Sequence, residues 1–523
     1  TTGNDTVNNT GSITGNIDLG GGINAIFNRS GARLTNNPNI ALGGGTLTNA
    51  GDISPGGDDV VGTTNVTGNF VQTATGRYLA DVDFSRLASD LINVSGTADL
   101  GGELVVNLQQ LENGTSVTIL TADAGATLSG ISVADTLALN YGIEVDGKDV
   151  KLTVDYNFDI PDLSRNEDGV TQYINRALDA GVSDALDPFV VALGRITDPA
   201  EFEAAVAALN PETHLSDTTA FYQGVGQFTD KVMSCAVHSG PNAAIAEGQC
   251  NWARVTQRRI RQDETNETVG YDQNTSEFAG GIQVAIAPNW RLGGAVGFNT
   301  TTTTNNSTYS SDGDTYSGGV VLKYTDGPWL LAGALTVGHQ ETEGRRQINF
   351  PGTPLTAFSD AESTYVGGRL RAAYLIDAGR FYAKPMLDLD ITQLHNDGFQ
   401  ETGAGAVSAI ADAFDETLYT IRPAIQLGTT IGLGQTRIVR PFLEASVAFH
   451  PETDLILPIR FAGASAAADP FQIKSSINET VFGIAGGLDM VAEDGVNFAL
   501  RYDTEFDEDH VSHSGSFKMS IDF

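Results

Sequence analysis

The residues able to do chemistry are spread unevenly along this chain. It holds seven histidines and two cysteines, and residues 1–213 contain neither type. A Ser-His-Asp triad, a thiolate nucleophile and a His/Cys zinc site are therefore excluded from that stretch. It offers carboxylates instead: Asp58, Asp59, Asp81, Asp83 and Asp90. Two of them could pair for glycoside hydrolysis, but nothing in their spacing favours this, and a solvated acidic face is the simpler reading. Near the end, Asp507-Glu508-Asp509-His510 with His513 could hold a divalent ion, beside the plainer reading of a polar loop. Calcium-binding Gly-Gly-x-Gly-x-Asp nonapeptides are absent. No catalytic set, cofactor site or metal site is assigned, and the chain is not expected to be an enzyme. Cys235 and Cys250 enclose 14 residues. In an oxidising compartment they can close a disulfide worth about 3 kcal/mol, clipping the end of a helix to the strand that follows. Two free thiols are the alternative.

The scaffold that carries these residues is 523 residues long with a net charge of −36. Such acidity excludes a phosphate-binding basic stripe, so no nucleic-acid partner is expected. Only 18% of residues are charged and 41% are hydrophobic, too apolar for a disordered acidic tail. No apolar run of about 20 residues offers a transmembrane helix. The chain begins Thr1-Thr2-Gly3 with neither Met nor signal peptide, as expected of a mature or excised piece.

From residue 250 onward the pattern has period two. Phe278, Ile282, Val284 and Ile286 alternate with small or polar residues, as do Tyr316, Val320, Leu322 and Tyr324, and Phe482, Ile484, Leu488 and Met490. Short turns at 287–289, 325–327, 377–379, 432–435 and 493–495 alternate with long polar loops near 263–276, 300–314, 341–362, 395–415, 450–478 and 506–514. Five turns and six loops join twelve strands. That rhythm predicts a closed antiparallel outer-membrane barrel rather than a soluble all-β domain. Pro385, Pro423 and Pro441 speak against it unless bulges absorb them, and the faces of 252–261, with four arginines, cannot be assigned. Phe517, Met519, Ile521 and Phe523 alternate with polar residues to the end of the chain.

Before the barrel the period is helical. Asp198-Pro199-Ala200-Glu201 is a helix start with Asp as N-cap, and Asn210-Pro211 is its stop. Further helices are expected over 168–180, 183–196 and 216–237. The last is too polar for lipid and too weakly amphipathic to cover a core. It suits a polar lumen, where Gly281, Gly293, Gly297 and Gly319 would make room, though a solvated surface helix is the alternative. Residues 1–155 carry short apolar beats between Gly/Asn turns, such as Gly45-Thr46-Leu47-Thr48-Asn49-Ala50-Gly51, as in the coils of a parallel β-helix. A jelly-roll-like sandwich is the alternative. Heavier strands around 101–106 and 151–154 would cap the stack.

This order resembles the monomeric autotransporters of Gram-negative bacteria. Ile53-Ser54-Pro55-Gly56, Gly68-Asn69-Phe70-Val71-Gln72 and the run 90–102 resemble the last coils of their passengers. Ala208-Leu209-Asn210-Pro211-Glu212 with Phe221 and Phe228 resembles the segment entering the pore, and Cys250-Asn251-Trp252-Ala253-Arg254 the opening of strand one. Gly51-Asp52-Ile53-Ser54 is similar to the serine motif of lipolytic members, with Ile between Asp and Ser and no histidine to activate it.

The resemblance implies a mainly β chain in three parts: a β-helical passenger stalk with its cap over 1–155, a helical linker and pore-spanning helix over 156–248, and a twelve-stranded transmembrane barrel over 249–523. It implies export of the chain's own passenger to the cell surface. The last aromatic strand resembles the signal read by the outer-membrane barrel assembly machinery, with periplasmic chaperones, lipid and lipopolysaccharide as further partners of a monomer. No Asn-Asn pair lies between 156 and 290, so self-cleavage is not expected and the stalk should stay attached. The rival readings are a porin-like channel and the anchor of a surface hydrolase whose catalytic part lies upstream of residue 1. The passenger's ligand is not legible.

Overall fold

A computed structural model describes residues 2–111, 115–181, 185–233, 235–237, 242–266, 269–305, 308–433, 437–464, 468–492 and 495–523. The expected turn residues Gly434, Gln435, Glu493 and Asp494, and part of the helix expected over 183–196, lie outside the described residues. The chain forms two compact units: Thr1–Leu163, Val170–Ala207 and Gly463–Asp469 in one, Ser164–Gly169, Ala208–Ala462 and Pro470–Phe523 in the other.

The first unit is built on a parallel β-helix. Thr6–Asn9, Ala25–Asn28, Asn39–Asn49, Thr63–Gln72, Leu91–Val94 and Ser116–Ala122 pair in parallel into one sheet. Ser12–Thr14, Arg33–Thr35, Asp52–Ser54, Arg77–Asp83, Glu103–Gln110 and Ser132–Val133 form a second. Parallel pairing rules out the sandwich, whose sheets are antiparallel. Apolar beats recur once per coil on the inner side, so Ile26, Leu47, Phe70 and Ala98 stack, all buried. A polar spine runs beside them. Asn9 Nδ2 donates to Asn28 Oδ1 at 2.8 Å, Asn28 Nδ2 to Asn49 Oδ1 at 2.7 Å, and Asn49 Nδ2 to Gln72 Oε1 at 3.2 Å. The stack ends where Leu139–Asp146 and Asp149–Tyr156 form an antiparallel hairpin against Ser116–Ala122. Of the two segments expected to cap, 149–156 therefore does so, while Glu103–Gln110 is an ordinary coil of the stack.

Four helices follow: α1 (Arg165–Asp179), α2 (Asp187–Gly194), α3 (Pro199–Leu209) and α4 (His214–Lys231). Asp198 caps α3, its Oδ1 accepting from the backbone N–H of Ala200 and Glu201 at 3.0 and 3.1 Å. Ser164 and Glu167 form a reciprocal capping box on α1, a signal present in the sequence and not used above.

In the second unit, twelve strands close into an antiparallel barrel: β1 (Cys250–Gln262), β2 (Tyr271–Ala287), β3 (Trp290–Asn305), β4 (Tyr309–Asp326), β5 (Trp329–Phe350), β6 (Thr353–Tyr374), β7 (Phe381–Asn396), β8 (Phe414–Thr429), β9 (Arg437–Phe449), β10 (Thr480–Ala492), β11 (Val496–Phe506) and β12 (His510–Asp522). β12 pairs with β1 along thirteen residues from Cys250↔Asp522 to Gln262↔His510, leaving the ring without an edge. Large apolar side chains face outward, among them Phe278, Val296, Leu335, Leu370 and Leu443. Trp290 packs on Tyr324 and Trp329 on Tyr374 at the short-turn end, as in an interfacial aromatic girdle.

Three of the expected long loops are shorter than the polar sequence suggested. β3–β4, β5–β6 and β11–β12 continue as paired strands through most of 300–314, 341–362 and 506–514. β5 alone has 22 residues, about twice what a bilayer requires. Backbone pairing needs no apolar face, so where strands rise out of lipid the alternation fades while the ladder persists. Two other loops carry strands of their own. Phe399–Gln400, Ala409–Ala411, Asp454–Phe461 and Phe471–Ser476 make a small antiparallel sheet over buried Leu455, Leu457, Ile459 and Phe471. At Pro423 the β8–β9 ladder lapses for two residues and resumes in the same register, rather than bulging.

Candidate functional site: the barrel lumen and its helix

α4 lies inside the barrel; His214, Leu215, Ser216, Phe228, Thr229 and Lys231 are among its buried residues, while Gln223, Gln227 and Asp230 are half-buried. Its polarity, out of place in lipid or in an ordinary core, matches the inward side of the strands. At its N-terminal end, His214 Nε2 lies 2.8 Å from Glu401 Oε1, and the same carboxylate takes a two-pronged ion pair from Arg346 at 2.8 and 2.7 Å. Ser311 Oγ donates to Asp217 at 2.6 Å, and Arg258 Nη1 donates to the Gln223 carbonyl at 3.2 Å.

The C-terminal end of α4 is held by charge. Asp230 accepts from Arg369 at 2.6 Å, Arg371 at 2.8 Å and Arg422 at 3.0 Å. Those arginines also meet Asp388 and Asp390 of the wall, so helix and wall share one network. The neighbouring Lys231 pairs with Glu277. The two charges leave the helix towards different strands, β6 and β8 on one side and β2 on the other. The helix stops at Lys231, short of the expected 237. Beyond it the chain must extend to form the Ala236↔Glu247 bridge, where Gly248 N–H donates to the Cys235 carbonyl at 2.7 Å. The Cys235–Cys250 disulfide closes this segment onto β1. Glu247 accepts from Cys235 N–H at 2.8 Å and pairs with Lys323 at 3.1 Å.

Two of the four expected lumen glycines lie against α4. A Cβ on Gly297 would stand 2.8 Å from the Phe228 ring, and one on Gly319 3.4 Å from it. Gly281 instead receives Trp252 of β1 at 2.7 Å, and Gly293 lies against Val321 at 2.9 Å. Gly367, not singled out above, approaches Val225 of the helix at 3.2 Å. The unassignable faces of β1 sort cleanly. Trp252, Thr256, Arg258 and Ile260 turn inward and are buried, while Val255, Gln257, Arg259 and Arg261 turn outward. Trp252 misled because a large apolar residue pointed into the lumen, where it joins Phe228, Met233 and both cysteines in a small core. Phe517, Met519, Ile521 and Phe523 are exposed on the outer side.

The carboxylates of the solenoid do structural work. Asp90 is fully buried and accepts from the backbone N–H of Gly62 at 2.7 Å and Gly56 at 3.2 Å, holding the turn that follows Ser54. Burial pushes its pKa up to about 7, against the opposing pull of the Gly62 N–H. Asp81 accepts from Val60 N–H at 3.0 Å, and Asn107 bonds Asp59. Asp83 pairs with Arg86, and Asp58 with Arg33. Ser54 donates to the Gly57 carbonyl, so it is not a free hydroxyl. In the last loop, His510 turns inward to Gln262 and His513 outward to Tyr502, and they share no site. Among the described residues no group of three or more His, Cys, Asp or Glu side chains is placed to hold a metal ion.

Residues 251–503 match the model of a family described as the autotransporter beta-domain. Among solved structures, the chain is similar to the translocator domain of the autotransporter NalP from Neisseria meningitidis, at 16% identity and a TM-score of 0.48, covering 60% of this chain and all of that one. It is also similar to the beta domain of the Bordetella autotransporter Brka, at 18% identity and a TM-score of 0.40, covering 53% of this chain and all of that one. The transport unit of AIDA-I from Escherichia coli aligns at 11% identity and a TM-score of 0.35, over 52% of this chain and 90% of that one. No curated protein matches the chain in sequence. The match to the autotransporter beta-domain family thus falls on residues 251–503, which form most of the closed twelve-stranded barrel.

Proposed function

We propose that α4 plugs the lumen once export is complete and that the stalk remains covalently attached to it. As an autotransporter, the chain sits in the outer membrane, where it exports its passenger and displays it at the cell surface. The observation that carries the plug is the oppositely directed pair on α4, Asp230 to three arginines of β6 and β8 and Lys231 to Glu277 of β2. A helix fastened to two sides of the wall stays central. Asn210 followed by Pro211, with no Asn-Asn pair between 156 and 290, supports an uncleaved linker.

In this reading 1–155 is the stalk, 156–248 the linker and pore helix, and 249–523 the barrel. Gly297 and Gly319 make room for Phe228, and Gly281 and Gly293 let the wall itself pack closely. The outward Phe517, Met519, Ile521 and Phe523 form the strand recognised by the barrel assembly machinery, after delivery by periplasmic chaperones. The inserted monomer contacts lipid and lipopolysaccharide. The chain acts as a conduit, not a catalyst.

Single-channel conductance of the intact protein in planar bilayers, beside a deletion of 199–237, tests the plug. A nearly silent intact protein and a steadily conducting deletion are expected. Equal conductance from both overturns the plug and favours the porin-like channel.

A further inference from the structure

On the outer wall of the barrel, β10, β11, β12 and β1 frame an open groove of about 510 Å3. Strand pairing sets its sides in two rows. Val255, Phe517, Leu500 and Leu488 face one another across the four strands, all apolar and exposed. One row nearer the long-loop end lie Gln257, Gly515, Tyr502 and Gly486. A Cβ on Gly515 would meet nothing within 4 Å, so the floor is open there. Tyr502 leans away from it, its ring stacked on His513 and its hydroxyl 2.9 Å from His513 Nδ1.

In the next two rows β1 turns Arg259 and Arg261 outward, both more than half exposed. Arg259 stands about 10 Å above Val255 along the membrane normal, given the usual strand rise and tilt. One oxygen of Asp272 serves both arginines, at 3.3 and 3.5 Å, and neither has a second ion pair among the described residues. Two guanidinium groups on one carboxylate keep a positive charge, and one oxygen cannot satisfy all their N–H donors. Both strands end just beyond, where Asp263 N–H donates to the Asp509 carbonyl at 2.7 Å. The arginines thus form a band between an apolar wall and an acidic rim. On β4 and β5 the outer wall is acidic instead, with Asp312, Asp314, Glu341 and Glu343 facing outward.

We infer that this flank of the barrel is a docking site for lipopolysaccharide, with an acyl chain in the groove and a lipid A phosphate on Arg259 and Arg261. The long-loop end of an outer-membrane barrel faces the outside, so the arginines meet the headgroups of the outer leaflet. Guanidinium takes phosphate through paired, charge-assisted hydrogen bonds. The apolar groove directly below accepts the chain attached to the same headgroup. The inference rests on the reading that the inserted barrel contacts lipopolysaccharide, and it assigns that contact to one flank. The flank includes the β1–β12 ladder that closes the ring, so by linkage a lipid held across it stabilises the closed barrel.

Native mass spectrometry of the full-length protein in detergent, titrated with diphosphoryl lipid A or with phosphatidylglycerol, tests the site. Lipid A is expected to bind the more tightly of the two. Arg259→Gln combined with Arg261→Gln should weaken lipid A binding roughly tenfold and bring it to the level of phosphatidylglycerol. Gly515→Leu fills the groove floor without changing any charge and should weaken lipid A binding too. Arg345→Gln, at an exposed position of β5, should change nothing. Both β1 arginines are exposed, so their removal leaves the barrel closed, which heat-modifiable electrophoresis checks for every variant. Equal binding of the two lipids overturns the site, as does unchanged lipid A binding in the arginine variant or in Gly515→Leu. An unmodified protein that binds no lipid A at all overturns the reading of lipopolysaccharide contact as well, whereas binding that ignores the variants overturns this site alone.

Discussion

Buried polar groups run through both units of this protein, and they are satisfied in opposite ways. The solenoid uses neutral amides. Asn9, Asn28, Asn49 and Gln72 each donate to the next coil, and Gln72 passes the chain on to the Gly101 carbonyl at 2.8 Å. An amide is donor and acceptor together, so the spine extends itself coil by coil without charge. The lumen uses ions, placed where a helix meets a wall made by other parts of the chain. Coils form by stacking on what is already folded, so their polar groups pass from water straight into the spine. The helix and the wall it meets come from distant parts of the chain, Asp230 and Arg422 being 192 residues apart, so their contact is made between separately formed elements. The contrast is between a bond made once, by growth, and a contact made between separate pieces.

Breaking the ionic side should have the larger effect. Asp230→Ala leaves Arg369, Arg371 and Arg422 facing two wall carboxylates instead of three. Removing one partner of a buried pair costs about 3–5 kcal/mol. The expected result is a plug that leaves its seat, read as frequent long openings in bilayer recordings, with the solenoid unchanged by hydrogen exchange. Next comes Asp90, a carboxyl that the solenoid buries completely. Asp90 holds its proton up to about pH 7, so the folded coil favours the neutral acid. Stability of this coil is then greatest below about pH 3.8, where the unfolded carboxyl is protonated too, and is lost as pH rises from there to about 7. The loss amounts to a few kcal/mol at most. Hydrogen exchange at Gly56 and Gly62 across pH 4–8 measures it, and Asp90→Asn should flatten the profile. Protection that rises with pH there would show that Asp90 folds as the anion.

Both architectures were largely legible in the residues, for different reasons. A barrel strand sorts its residues between lipid and lumen, so Phe278, Ile282 and Val284 announce it directly. The signal failed at β1, where Trp252 turns inward, and in the extended hairpins, where Glu341 and Glu343 face water rather than lipid and period two loses its contrast. The solenoid was readable from its Gly/Asn punctuation, yet its spine was missed. Its members are 19, 21 and 23 residues apart, too irregular to stand out as a repeat among the many other asparagines. The lumen network was beyond reach, since Asp230 and Arg422 are 192 residues apart. No local pattern marks the three arginines as partners of one aspartate. The small sheet over Leu455 and Ile459 was hidden in a stretch taken for loop, although Leu455-Ile456-Leu457 carried the hint.

The disulfide and the spine give the two smaller effects. Reduction of Cys235–Cys250 frees the 14 residues between them and should cost about 3 kcal/mol, seen as a lower Tm with dithiothreitol and absent from a double Cys→Ser variant. Asn28→Leu tests the spine at its middle. Asn28 accepts from Asn9 and donates to Asn49 and to the Asp52 carbonyl at 2.9 Å. Leucine leaves those groups buried and unsatisfied, at about 1–3 kcal/mol. Asn9 sits at one end of the spine and is slightly exposed. It donates to Asn28 and the Arg33 carbonyl and accepts the local Gly11 N–H at 3.1 Å, whereas Asn28 is fully buried between two coils. Asn9→Leu should therefore cost less than Asn28→Leu in denaturant melts of the full chain. If the neutral spine is as self-contained as its geometry says, neither change alters channel closure, since no ion of the lumen takes part in it. Equal costs at the two positions would mean that the amides act singly, each holding its own turn, and the contrast between a grown spine and an assembled plug would lose its first half.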